Sequence, residues 1–292
     1  MVGDPLQIEP VFTVPLKLIE ALARSSGLSP EAAVEPHRAS VQRLADDANP
    51  LAVRADRGQG NAPLWIGSPL RVHRRCDEPM FGIANRIAYG GKMVSGLAGR
   101  APALEAYWGD SAWIDVSGCT SHGQVVTEQV ELVLRTVVAR HRAAGALPPL
   151  YVVSPFRKVK AELMSTLSDV GRWKEIAGTT RPLPGKTELR DWCAKRIGTV
   201  HTFQGKEESV VLMVLGCDAR ATGAVTWASS KPNLLNVAVT RAQHRVFIVG
   251  DVALWGSKPY FETARSLLPV ITGDEFLGRV TGCEVPRLGR EG

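Results

Sequence analysis

Cysteine is scarce in this sequence, with five residues in 292: Cys76, Cys119, Cys193, Cys217 and Cys283. The number is odd, the positions are scattered and there is no C-x-x-C pair, which argues against a disulfide framework or a zinc site and fits a reducing, cytoplasmic setting. No stretch approaches the ~20 uninterrupted apolar residues of a membrane span, and the opening MVGDPLQIEP lacks the pattern of a signal peptide. Neither sign of charge dominates. The 35 basic and 29 acidic residues leave a net +6, a mild bias toward an anionic partner such as nucleic acid. What is present is ordinary globular composition, 45% hydrophobic and 22% charged, which excludes a disordered chain. The length suits one large domain or two small ones.

A complete nucleotide-binding loop is also lacking. The nearest candidate is Gly185-Lys186-Thr187, but Thr180 stands where the first glycine of a phosphate loop is required. The preceding RWKEIAG is not an apolar strand, so no strand-loop-helix geometry would aim backbone amides at a phosphate. Asp251 ends the apolar run VFIVGD, as a magnesium-binding aspartate does, but no second carboxylate follows. No G-x-G-x-x-G follows a strand, so a dinucleotide site is not supported.

The first sixty residues read as helical and polar. Leu16, Ile19, Leu22 and Ala23 recur at helical spacing, and residues 40–48 place Val41, Leu44 and Ala45 on one face. Residues 49–60 (NPLAVRADRGQG) read as a charged, turn-rich connector. Beyond them, apolar runs at 63–66, 112–116, 150–153, 210–215 and 246–249 alternate with helical patterns at 79–89, 125–142 and 156–167. Short all-apolar strands separated by amphipathic helices predict an α/β fold with a parallel sheet covered on both faces. Residues 171–190 read as an irregular surface insertion. The seven tryptophans lie mostly near apolar runs, so packing is their default role.

Five segments in order carry a resemblance: GDPLQIEP (3–10), PLRVHRRCDEPMF (69–81), VVSPFRKVKAEL (152–163), GTVHTFQGKE (198–207) and LLNVAVTRAQHRVFIVGD (234–251). Together they resemble the later motifs of superfamily 1 helicases, in the branch of the nonsense-mediated-decay RNA helicase and the flap-processing nuclease-helicase. The resemblance implies a RecA-like, P-loop NTPase-type domain. It further implies that ATP and Mg2+ sit in a cleft shared with a first motor domain, which supplies the phosphate loop. Residues 1–60 would be the remnant of that first domain and a connector, with the rest of it missing; residues 61–292 would be the second RecA-like domain.

Site residues follow from the same resemblance. Arg241, in NVAVTRA, would reach across the cleft to the γ-phosphate, pointing out of the sheet's edge; the plain alternative is a solvated helix-end arginine. Charge that develops on a transferring phosphoryl group is stabilised by such a guanidinium. Arg75 is the second catalytic arginine, with Arg74 as the alternative and a basic surface patch as the plain reading. Asp4 and Gln7 in GDPLQIEP face the nucleotide, Gln7 as a sensor of the terminal phosphate or else as a loop residue capping a helix. In HTFQGKE, Gly205 allows close backbone approach or simply a tight turn, and Glu207 accepts from a ribose hydroxyl or orients an arginine. Ser154, Pro155, Thr199 and Thr202 would face single-stranded DNA or RNA, giving hydroxyls and amides to phosphates, although Ser154 and Thr202 could equally cap helices. The function implied is the second motor domain of an ATP-dependent helicase or translocase, inactive without a first motor domain, which a separate chain could supply. The alternative is a non-catalytic nucleic-acid-binding or interaction module. An unrelated α/β enzyme using Cys193 and His201 as nucleophile and base lacks any supporting triad spacing.

Overall fold

In the computed structural model, which describes residues 7, 14–29, 48–51, 53–55, 64–67, 71–97, 108–178, 182–203 and 205–282, the expected first helix forms as α1 (Leu16–Ser25). Only Ala23 of α1 is buried, while Leu16, Leu18 and Leu22 are exposed. The helix expected at residues 40–48 lies outside the described residues apart from Ala48. Strands β1 (Val53–Ala55) and β2 (Leu64–Ile66) pair antiparallel. The expected connector therefore contains a strand, and the pair straddles the boundary expected at residue 60. Two more short strands, β3 (Val72–His73) and β4 (Val94–Ser95), pair in parallel on either side of α2 (Met80–Tyr89).

The central elements follow in chain order: β5 (Ala112–Asp115), the hairpin β6 (Thr120–His122) and β7 (Val125–Val126), α3 (Thr127–Ala144) and β8 (Leu150–Ser154). Next come α4 (Arg157–Leu167), α5 (Val170–Ala177), α6 (Lys186–Arg196), β9 (Ile197–Thr199) and a 3-10 turn (Val200–Phe203). The chain continues with β10 (Glu208–Val214), α7 (Thr222–Ala228), α8 (Asn233–Val239) and β11 (Ala242–Gly250). It closes with α9 (Val252–Trp255), α10 (Phe261–Leu267), β12 (Val270–Thr272) and α11 (Gly273–Thr281).

Six strands make one sheet in the order β12-β5-β11-β10-β8-β9, and every neighbouring pair is parallel. Val210 to Val214 and Val246 to Val249 are buried throughout, as central strands covered on both faces must be. The crossover through α3 runs one way along the sheet and the crossover through α8 the other. Right-handed connections therefore put these helices on opposite faces. α3 packs with α4, α5 and α11, and α2 packs with α8 and α10. This is the expected α/β, RecA-like fold.

Two local expectations change, and two strands were unforeseen. The segment 171–190 is not irregular: α5 occupies most of its first part and α6 begins at Lys186. β9 and β12 were not legible as strands, being three residues each without a long apolar run. Trp108, Trp113, Trp173, Trp192 and Trp255 are buried as expected, but Trp227 is 53% exposed. No described helix is long and apolar enough to cross a membrane.

Candidate functional site

At the amino ends of β10 and β11, residues from three distant segments converge. α8 is apolar and buried along Leu235, Val237, Ala238 and Val239, and the chain turns at Thr240 into β11. Arg241 lies at this turn, where the last carbonyls of a helix have no intrahelical partners. Its Nε donates to the Val237 carbonyl at 3.0 Å, Nη1 to the carbonyls of Lys206 at 3.1 Å and Phe203 at 3.4 Å, and Nη2 to Thr240 Oγ1 at 3.3 Å. The side chain is fully buried. The expectation that it points out of the sheet's edge is thus corrected: the guanidinium turns inward and staples Phe203 and Lys206 to α8. Burial, helped by the nearby Arg75 and opposed by Glu207, lowers its pKa to about 10.

Glu207 stands beside this arginine. Its Oε1 accepts from Arg75 Nε at 2.9 Å and its Oε2 from Gln243 Nε2 at 3.0 Å. Burial alone would raise the Glu207 carboxyl. The Gln243 hydrogen bond and the guanidiniums of Arg75 and Arg241 outweigh that and hold it below its ordinary value. Glu207 is thus paired with Arg75 and Gln243. Arg75 is the arginine brought to this cluster; Arg74 is exposed beside β3. The segment carrying Arg75 is pinned next door, where Asp77 N donates to the Gln243 carbonyl at 2.9 Å and Asp77 Oδ2 meets His244 Nδ1 at 2.7 Å. Gln243, His244 and Asp77 were missed from sequence, although Gln243 and His244 follow Arg241 by two and three residues in β11.

The other nucleotide-side expectations fall as follows. The backbone carbonyl of Gln7 accepts from the side-chain amide of Asn233, at the start of α8, which brings this part of GDPLQIEP to the helix that leads to Arg241. Asp4 lies outside the described residues. Gly205 has φ +85°, so the turn before β10 requires glycine for its backbone alone.

The residues expected to face nucleic acid gather at the opposite, carboxyl ends of β8 and β9, where Ser154 pairs with Thr199 in register. Ser154 is buried and its hydroxyl accepts from Phe156 N at 3.2 Å, the local turn-capping role. Pro155 is buried beside it. The hydroxyls of Thr199 and Thr202 lie 3.1 Å apart on the surface. Arg157 and Lys158, in the exposed first turn of α4, add positive charge, and partial burial together with Arg157 lowers the pKa of His201.

Remaining features of the sequence find structural explanations. Gly185 is the N-cap of α6, its N–H donating to Glu188 Oε2 at 3.3 Å, and the preceding element among the described residues is the helix α5 rather than a strand. Asp251 caps α9, its Oδ1 accepting from the amides of Ala253 and Leu254 at 2.8 and 3.2 Å. Burial pushes the Cys193 thiol up to about 12, which removes it as a nucleophile near neutral pH. Among the described residues no group of three histidine, cysteine or carboxylate side chains could hold a metal ion.

The six-stranded parallel sheet with helices on both faces is that of a helicase-associated, P-loop NTPase-like domain. The sequence model of the AAA domain family AAA_12 matches residues 67–253, more than half of the chain, and the chain belongs to that family.

Proposed function

We propose that this chain is the second motor domain of a superfamily 1 helicase or translocase, in the branch named above. It would lend Arg241 and Arg75 to an ATP site completed by a first motor domain and guide a single strand across its other edge. The observation that carries the reading is a charge imbalance: two guanidiniums, Arg75 and Arg241, share one carboxylate, Glu207. A poorly solvated excess of positive charge favours an incoming polyanion, and phosphate oxygens are stronger acceptors for a guanidinium than neutral carbonyls. Glu207 engages Arg75 through Nε alone among the described residues, which leaves its Nη groups for a phosphate. ATP with Mg2+ supplies the phosphoryl group to be cleaved; Arg75 and Arg241 would steady the charge that develops on it.

A second reading rests on the inward turn of Arg241. Its three carbonyl acceptors and one hydroxyl acceptor suit a purely structural staple in a non-catalytic binding module. One experiment separates the two. These 292 residues contain no phosphate loop, so the chain alone should hydrolyse no ATP above background. With a first motor domain joined in cis, strand-stimulated turnover should appear, and Arg241→Ala should reduce it about 10²–10⁴-fold while nucleotide affinity changes less. Equal losses in affinity, turnover and thermal stability would identify the staple instead.

A further inference from the structure

Trp227 is left unexplained by the sheet and by the nucleotide-side cluster. α7 buries Val225 and Ala228, and Trp227 falls on its outer side with about half of its surface in water. The exposed indole lies against Phe156, with ring centroids 5.9 Å apart at 45°. Phe156 in turn is the residue from which α4 starts, and the exposed cations Arg157 and Lys158 directly follow it in the chain. Arg157 is close enough to His201 to lower its pKa, which ties this corner to the surface hydroxyl pair of Thr199 and Thr202. An exposed aromatic side chain at an edge that also carries cations and hydroxyls is the combination that binds a single strand without reading sequence: bases stack on the ring and phosphates take the charge and hydrogen bonds. Nearby Arg220 adds little net charge, because Asp218 pairs with it at 2.6 Å.

We propose that Trp227, backed by Phe156, is a nucleobase-stacking platform at the carboxyl edge of the sheet. It holds one base of a single strand whose backbone passes over Arg157 and the Thr199–Thr202 pair. The inference rests on the single-strand surface of the preceding section and deepens it by naming the residue that takes a base. The basic border argues for a nucleic acid over an apolar protein surface as its occupant.

The test is salt titration of the full chain by fluorescence anisotropy, on labelled oligo-dT and oligo-rU and on matched strands carrying single abasic positions. Trp227→Ala should weaken binding about 5- to 100-fold, the range lost with one stacked base. Its salt slope should stay unchanged because no phosphate contact is removed, and Trp227→Phe should recover most of the affinity. Arg157→Ala should instead lower the slope by about 0.7. An abasic position should weaken the wild-type chain and leave Trp227→Ala unaffected at that same position. Salt-dependent binding that Trp227→Ala leaves intact, or an alanine penalty that persists on the abasic strand, overturns the stacking platform while the single-strand surface stands. Absence of any strand binding by the wild-type chain at low salt overturns both. If Trp227→Ala melts early, the abasic series on the wild type and the Trp227→Phe variant decide the matter alone.

Discussion

Glu207 places one negative charge between two guanidiniums, and its value to the fold differs from its value to the site. Both partners in the Arg75–Glu207 pair are about one-third exposed, at 31% and 35%, so the pair contributes at most about 1 kcal/mol to stability. Glu207→Gln should therefore shift the urea midpoint only slightly at neutral pH. Because the folded state holds this carboxyl below its ordinary 4.5, its stabilisation is present above that value and is lost as pH falls through the folded pKa. The wild-type advantage over Glu207→Gln should accordingly shrink in urea titrations run at successively lower pH below about 4.5. An advantage that grows on acidification would mean that Glu207 is not held ionised by its neighbours.

Among the elements, the turn after β10 is the least forgiving. Gly216 has φ +61°, and a Cβ there would sit 2.2 Å from the Gln124 carbonyl oxygen, a backbone atom of the β6–β7 hairpin that cannot move aside cheaply. The same turn is fastened by Gln129 of α3, whose Oε1 accepts from Gly216 N at 2.8 Å while its Nε2 donates to the Val116 carbonyl at 3.0 Å. One buried amide thus links the turn after β10 to the chain leaving β5, the strand two places away in the sheet. Gly216→Ala should cost about 3 kcal/mol or more, combining an unfavourable φ with overpacking, and thermal denaturation would report it as a large fall in midpoint. A melting temperature within a degree or two of wild type would show that the hairpin yields. α4 and α7, which start from the same edge of the sheet, depend on this turn for their position.

At the scale of the whole molecule, the family match ends at residue 253, but the fold does not. α10, β12 and α11 follow, and β12 completes the sheet by pairing with β5. α10 and α11 put Phe261, Phe276 and Val280 into the core, where Phe276 lies 4.8 Å from Phe247 and Phe261 packs edge-on to Trp113 at 6.4 Å. Arg140 of α3 also donates to the Val280 carbonyl at 2.9 Å. A chain ended at residue 253 would expose Trp113 and Phe247 and leave β5 as an open edge. It should be insoluble or lack a cooperative melt, whereas a chain ended at residue 282 should melt close to the full-length protein; equal melting of the two would refute a structural need for the last three elements.

Local pattern by itself determined the α/β class and, to within two residues at each end, the strands expected at 112–116, 150–153 and 210–215 and the helices expected at 79–89, 125–142 and 156–167. Apolar spacing is a property of neighbours in sequence, so these elements declare themselves without tertiary help. The motif order likewise marked Arg75, Glu207 and Arg241 as belonging together. Only the tertiary structure decided how they meet. Arg241 turns inward because, besides Val237 in the adjoining helix, its acceptors Phe203 and Lys206 come from a segment more than thirty residues away that the fold brings around it. Arg75 is distinguished from Arg74 by Glu207, 132 residues away. Trp227 is exposed because α7 packs through Val225 and Ala228, and the choice of buried face on a short helix depends on what lies beneath it. Side-chain direction follows from partners across the fold, and spacing along the chain carries no record of them.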